Sequence, residues 1–236
     1  MFGFGRYDLS EARQDWLLDG LIWCAAQGIL TMRTPMVLPT KEWFRAPSGL
    51  PPEATAEALL ADILRIARMS DTAIDLMPIE VLPDALRHGY GQMSEVAGTW
   101  QSDGNRSLIR YDPTLLRRLP TFLSMMAHEV MHERLRGTRM DWPGGEELEE
   151  LMTDLAAIAS GFGVLQLAGA EDIGWQGYLR QDSRAHALAL VLRATDIAPE
   201  AADAHLPARA AKALRRALRH VDTGQDVAEL RAALPR

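Results

Sequence analysis

Only one stretch of this sequence carries clear marks of β-structure, and that limits the folds open to the chain. Residues 94–111 (SEVAGTWQSDGNRSLIRY) read as a hairpin. Asp103-Gly104 supplies the turn, and Leu108, Ile109 and Tyr111 supply the returning strand. A short strand candidate lies at 76–82, broken by Pro78 and Pro83, and another opens the proline- and aromatic-rich loop 34–52. Most of the remainder repeats its apolar residues at helical spacing. Helices are predicted near 10–30, where Ser10 can cap the start, and near 53–68, 113–136, 145–166, 181–196, 206–221 and 225–233. The expected fold is therefore α+β and mainly helical, with a small antiparallel sheet. Residues 1–70 are expected to form a helical N-terminal extension packed on a core domain of residues 71–236.

The chain's 236 residues, 47% of them hydrophobic, provide enough apolar surface to offset chain entropy, which argues against disorder. A single cysteine, Cys24, excludes an intrachain disulfide and a cysteine-rich zinc cluster. It sits among Trp16, Ile22 and Trp23, where a buried, inert thiol is expected. The N-terminal residues MFGFGRYDLSEARQDW lack the basic start, apolar run and small-residue cleavage site of a signal peptide. No apolar stretch reads as approaching the roughly 20 residues of a membrane span. The expectation is a cytoplasmic protein with no membrane partner. A net charge of −7 argues against nucleic acid as a partner, and there is neither a GxGxxG nor a phosphate loop. The basic stretch 209–219 reads as the solvated face of a packed helix. The sequence carries no sign of oligomeric state.

The chemistry is concentrated in Met125-Met126-Ala127-His128-Glu129-Val130-Met131-His132, which contains HExxH. Each helical residue advances by about 100°, so His128 and His132 lie about 40° apart, one turn above the other. Two imidazoles so placed can share one zinc ion, and Glu129 beside them can reach a metal-bound water as a general base. A catalytic zinc site commonly adds one glutamate and keeps a position open. The segment Glu146-Glu147-Leu148-Glu149-Glu150 offers four candidates. Glu150, Asp154, Ala157 and Gly161 form one helical line whose small residues would admit a neighbouring helix. If that neighbour is 113–136, Glu150 faces the histidines and Asp154 can accept the free N–H of one of them. Glu147 is the second candidate for third ligand, with Glu146 and Glu149 expected to face water.

His128-Glu129-x-x-His132 followed by Glu150-x-x-x-Asp154 resembles the gluzincin clan of zinc metallopeptidases. The likeness spans about residues 105–165. It implies a zincin-like core, Zn2+ held by His128, His132 and Glu150, water activation by Glu129, and Asp154 as the orienting partner of a histidine. It also implies a sheet edge above the HExxH helix with which a peptide substrate can pair; the strand 107–111 is expected to be that edge. Tyr178 and His186 are candidates for stabilising the developing oxyanion. The clan usually continues HExxH with an uncharged and then a hydrophobic residue, whereas Glu133-Arg134 follow here and are expected to point to solvent. More loosely, Thr153-Asp154-Leu155, Gly161-Phe162-Gly163-Val164, Gly177-Tyr178-Leu179 and Ala187-Leu188-Ala189-Leu190 resemble uncharacterised bacterial HExxH proteins, a likeness that brings no substrate with it. The leading expectation is a zinc-dependent metallohydrolase (a metalloprotease). Its alternatives are a non-catalytic binding or scaffold protein that keeps a zinc site, and a packed helix with no metal.

Overall fold

Proline and glycine decide where the chain turns into and out of its elements. The computed structural model describes residues 9–79, 98–104, 106–172, 178–222 and 224–235. The far end of the 76–82 strand candidate with Pro83, hairpin residues 94–97, and Gly177 lie outside them. Helix α1 (Glu11–Ala26) follows Ser10, whose backbone is extended at φ −67° and ψ 149° but whose side chain makes no capping bond. Helix α2 (Pro52–Ile66) begins on a proline, whose missing N–H costs nothing in a first turn. Between them, residues 34–51 form no strand. Pro35 and Pro39 cannot donate to a ladder, and the segment is tied instead by the Val37 N–H to the Gly161 carbonyl at 3.0 Å, the Arg45 N–H to Asp62 Oδ2 at 2.6 Å and Arg65 to the Trp43 carbonyl at 2.8 Å.

The sheet departs from expectation in one respect. Strands β1 (Ile74–Pro78), β2 (Gly98–Ser102) and β3 (Ser107–Tyr111) lie in the order β1-β3-β2. The β2–β3 hairpin is antiparallel, with Trp100 opposite Ile109. β1 runs parallel to β3, so the sheet is mixed rather than antiparallel. β3 is the central strand, and among the described residues β2 pairs only with β3.

The predicted helix 113–136 divides in two. Asp112 caps a 3-10 turn at Pro113–Arg117 by accepting from the Thr114 N–H at 2.8 Å. The backbone leaves helical geometry at Arg118 before α3 (Leu119–Leu135), which carries Pro120 in its first turn. α3 is buried on nearly every side, with Phe122, Leu123, Met126, Ala127, Val130 and Met131 wholly enclosed. A helix apolar around its circumference belongs at the centre of a fold.

A 3-10 turn at Glu146–Leu148 leads into α4 (Glu149–Ala157), a π-turn at Ile158–Phe162 and α5 (Gly163–Asp172). The glycines of this column let it pack closely. Gly161 bends it with φ +101°, and a Cβ there would stand 2.4 Å from the Pro35 carbonyl oxygen. A Cβ on Gly169 would stand 2.5 Å from that of Ser124 on α3. The close neighbour at Gly161 is thus the loop 35–37, and at Gly169 it is α3. By length and composition Glu146–Ala170 is a candidate membrane span, contrary to the sequence reading, but its apolar window lies almost wholly buried here.

Helices α6 (Gln181–Ala194), α7 (Glu200–Asp203), α8 (Ala208–Val221) and α9 (Asp226–Ala233) complete the described chain. The short α7 was not anticipated. Leu17 and Leu21 of α1, Ile63 of α2, Leu155 of α4 and Leu190 of α6 belong to one continuous buried cluster. Cys24 is enclosed in it, and burial pushes its thiol far up.

Candidate metal centre

α3 and α4 cross so that one face of each meets at a cavity of about 540 Å³. Along α3 the lining residues are Thr121, Ser124, Met125, His128, Glu129 and His132, a single helical face. α4 adds Glu149, Glu150 and Asp154, and β2 adds Gly98, Thr99 and Trp100.

Three ligand atoms converge. His128 Nε2 lies 3.1 Å from Glu150 Oε2 and 3.2 Å from His132 Nε2, and His132 Nε2 lies 3.4 Å from Glu150 Oε2. Zinc with bonds of 2.0–2.1 Å and tetrahedral angles separates its ligand atoms by about 3.3–3.4 Å, so this triangle fits one ion. Glu147 stands exposed in the 3-10 turn, outside the cavity; Glu150 is the carboxylate in the group of possible ligands.

Asp154 fixes the first ring. Its Oδ1 lies 2.9 Å from His128 Nδ1, and an ionised carboxylate only accepts, so that nitrogen carries the proton. The Nε2 of the neutral ring then presents a lone pair to Glu150 and His132. Lone pairs aimed at one point call for a cation between them. If only protons answer, burial opposes charging His128, but Asp154 and Glu150 carry its pKa up to about 10. Burial likewise opposes charge on Glu150, whose pKa the two histidines nevertheless hold down to about 2. A divalent ion would balance the same donors with neutral rings.

Asp154 is saturated beyond this bond. Its Oδ2 accepts from the Tyr178 N–H at 3.1 Å, the Leu179 N–H at 2.8 Å and Arg184 Nη2 at 2.8 Å. Burial raises its pKa, but Arg184 and His128 bring it down to about 2. Arg184 is itself buried and donates further to the Leu179 and Gln166 carbonyls. Sequence reasoning missed Arg184, because nothing in the spacing relates it to Asp154 thirty positions earlier.

Glu129 is 6% exposed, beside the triad but outside it. Burial pushes its carboxyl up, against the pull of both histidines and the Trp100 backbone N–H. That combination suits a group that takes up and releases a proton. Tyr178 lines the cavity, with its ring stacked on His128 at 5.7 Å and 15°. His186 is not in the cavity. It is buried on α6 with its ring 5.9 Å from that of His220 on α8, and burial and His220 lower its pKa to about 4. Its expected catalytic placement is corrected accordingly.

Other expectations also change. Glu149 lines the cavity rather than facing water, 3.5 Å from His132 Nδ1 and bonded to Arg139. Among the described residues the strand lining the site is β2, at the edge of the sheet, not the central β3. Glu133 and Arg134 turn inward. Glu133 accepts from Ser107 and Trp100, and Arg134 donates to the Ala67 carbonyl at the end of α2. Trp100, also missed, stacks on His132 at 5.7 Å and 11°. Strand alternation, which puts Gly98, Trp100 and Ser102 on one face, was the signal that could have found it.

No protein-family model matches the chain, and neither the curated proteins nor the solved structures contain a match. The functional reading therefore rests on the site itself.

Proposed function

We propose that this protein is a zinc-dependent metallohydrolase with a zincin-like core, cleaving peptide bonds in the manner of the gluzincins. The observation that carries the reading is the triangle of His128 Nε2, His132 Nε2 and Glu150 Oε2, sized for one tetrahedral ion. Zinc held there supplies a Lewis acid and lowers the pKa of a water to about 7. Glu129 takes the proton of the attacking water and returns it to the leaving amine. Asp154, held by Arg184 and two backbone N–H groups, keeps His128 in the ligating tautomer. Tyr178, at the mouth of the cavity, is the candidate donor to the developing oxyanion.

The shape supports an extended peptide as substrate. From Thr121 to His132 the α3 face runs about 16 Å, the length of about five residues of extended chain. β2 lines the cavity beside it through Gly98, Thr99 and Trp100.

The test begins with metal content by elemental mass spectrometry on tag-free protein and the Glu150→Ala variant. Near-stoichiometric zinc in the parent and little in the variant is expected; no uptake by the parent overturns the metal site. Hydrolysis of a denatured protein substrate is then compared between the parent and Glu129→Gln. The variant is expected to keep zinc and lose at least 100-fold in rate. Full activity in that variant overturns the mechanism, and zinc without hydrolysis in the parent moves the protein to the scaffold class.

A further inference from the structure

The two candidate ligand histidines are held in different ways. His128 has a carboxylate on its second ring nitrogen, Asp154 at 2.9 Å. His132 does not: the acid nearest its Nδ1 is Glu149 at 3.5 Å, too far for a hydrogen bond. What covers His132 is the Trp100 indole, nearly parallel to it.

The indole is in turn fixed from α3. Its Nε1–H donates to Glu133 Oε2 at 3.2 Å, and the Ser107 hydroxyl donates to the same oxygen. Glu133 is an unusual place for a buried charge: its side chain is 8% exposed, although it directly follows a cavity residue. Arg136, one turn further along, pairs with it at 3.1 Å. Arg136 also reaches the hairpin turn through the Gly104 carbonyl at 3.1 Å. The pair thus grips both strands and the turn of the hairpin, and it accounts for the charged residue after HExxH.

We infer that Glu133, braced by Arg136, is a positioning residue that holds Trp100 against His132 and so orients the second metal ligand. The inference rests on the metallohydrolase reading only in requiring the metal. Trp100 also donates its backbone N–H to Glu129, so one bracket registers the sheet edge on both a ligand and the base. Partners that orient metal ligands typically contribute about 10- to 100-fold in metal affinity. A flat ring stacked in parallel restricts imidazole rotation as a hydrogen bond does for His128.

The test is a double-mutant cycle read as zinc affinity, by competition with a chromogenic chelator. Trp100→Ala and Glu133→Ala are each expected to weaken zinc binding about 10-fold. The double variant is expected to be no weaker than Trp100→Ala alone, because Glu133 acts through the indole. Trp100→Phe, which keeps a stacking ring, and Glu133→Gln, which keeps an acceptor, should recover most of the affinity. Losses that multiply to about 100-fold in the double variant, or unchanged affinity in Glu133→Ala, overturn the inference while leaving the metal site intact. A parent that binds no zinc overturns the metallohydrolase reading itself. If Glu133→Ala does not fold, Arg136→Ala, which removes the brace on Glu133, takes its place in the cycle with Trp100→Ala, and losses that multiply there overturn the inference equally.

Discussion

His128 and His186 are both enclosed imidazoles, and with no ion bound their neighbours shift their pKa values in opposite directions. His128 faces two carboxylates, whereas His186 faces another histidine on α8, and burial and His220 hold its pKa near 4. The unfolded chain titrates this group near 6.5, so between about pH 6.5 and 4 the unfolded state binds more protons. Stability is therefore lost as pH falls through that window, by about 1–2 kcal/mol between pH 7 and 5 from this group. Urea unfolding of metal-free protein at the two pH values should show that loss, and His186→Gln should flatten it. An unchanged pH dependence in the variant would remove His186 as its source. The sequence placed His186 near the site because it follows Tyr178 by one helix, but it could not tell which face of α6 looks inward. His128, His132, Glu150 and Asp154 were legible for the opposite reason: helical spacing within two adjacent elements fixes which side chains share a face.

The glycines of the α4–α5 column show where element-level reading reached its limit. A sequence shows a glycine but not whether it ends a helix or admits a neighbour, and here that depended on a loop more than a hundred positions away. Gly161→Ala brings a Cβ against the Pro35 carbonyl and forces a side-chain residue to φ +101°. It is expected to cost about 2–4 kcal/mol, measured as a lower midpoint in denaturant with an unchanged m-value. The parallel pairing of β1 with β3 was likewise hidden, since the order of strands depends on the path of the chain between them. The β2–β3 hairpin, closed by a local Asp103-Gly104 turn, was legible throughout its described part.

Across the whole molecule, the candidate ligands come from α3 and α4, so an ion held there would join the two helices. Zinc at a thousandfold excess over its dissociation constant adds about 4 kcal/mol to stability. For a chain of this size that is a rise of about 8–16 °C in Tm. Thermal melts with zinc and with a chelator should differ by that amount, and Glu150→Ala should abolish the difference. Equal melts in the parent would mean that the metal contributes nothing to the fold. The mainly helical class and the central HExxH helix were readable from periodicity. The burial of Arg184 was not, because a long cation normally signals surface.

The apolar column Glu146–Ala170 has a consequence for how the chain is made. The ribosome delivers α3 before it and α6 after it, so for a time during synthesis one flank of the column is covered and the other is bare. The column's apolar window has the length and composition of a candidate membrane span, and in the finished fold it is almost wholly buried. Leu188 of α6 packs against Gly163, so the folding chain must bring α6 back onto the column before its apolar length is covered on that side.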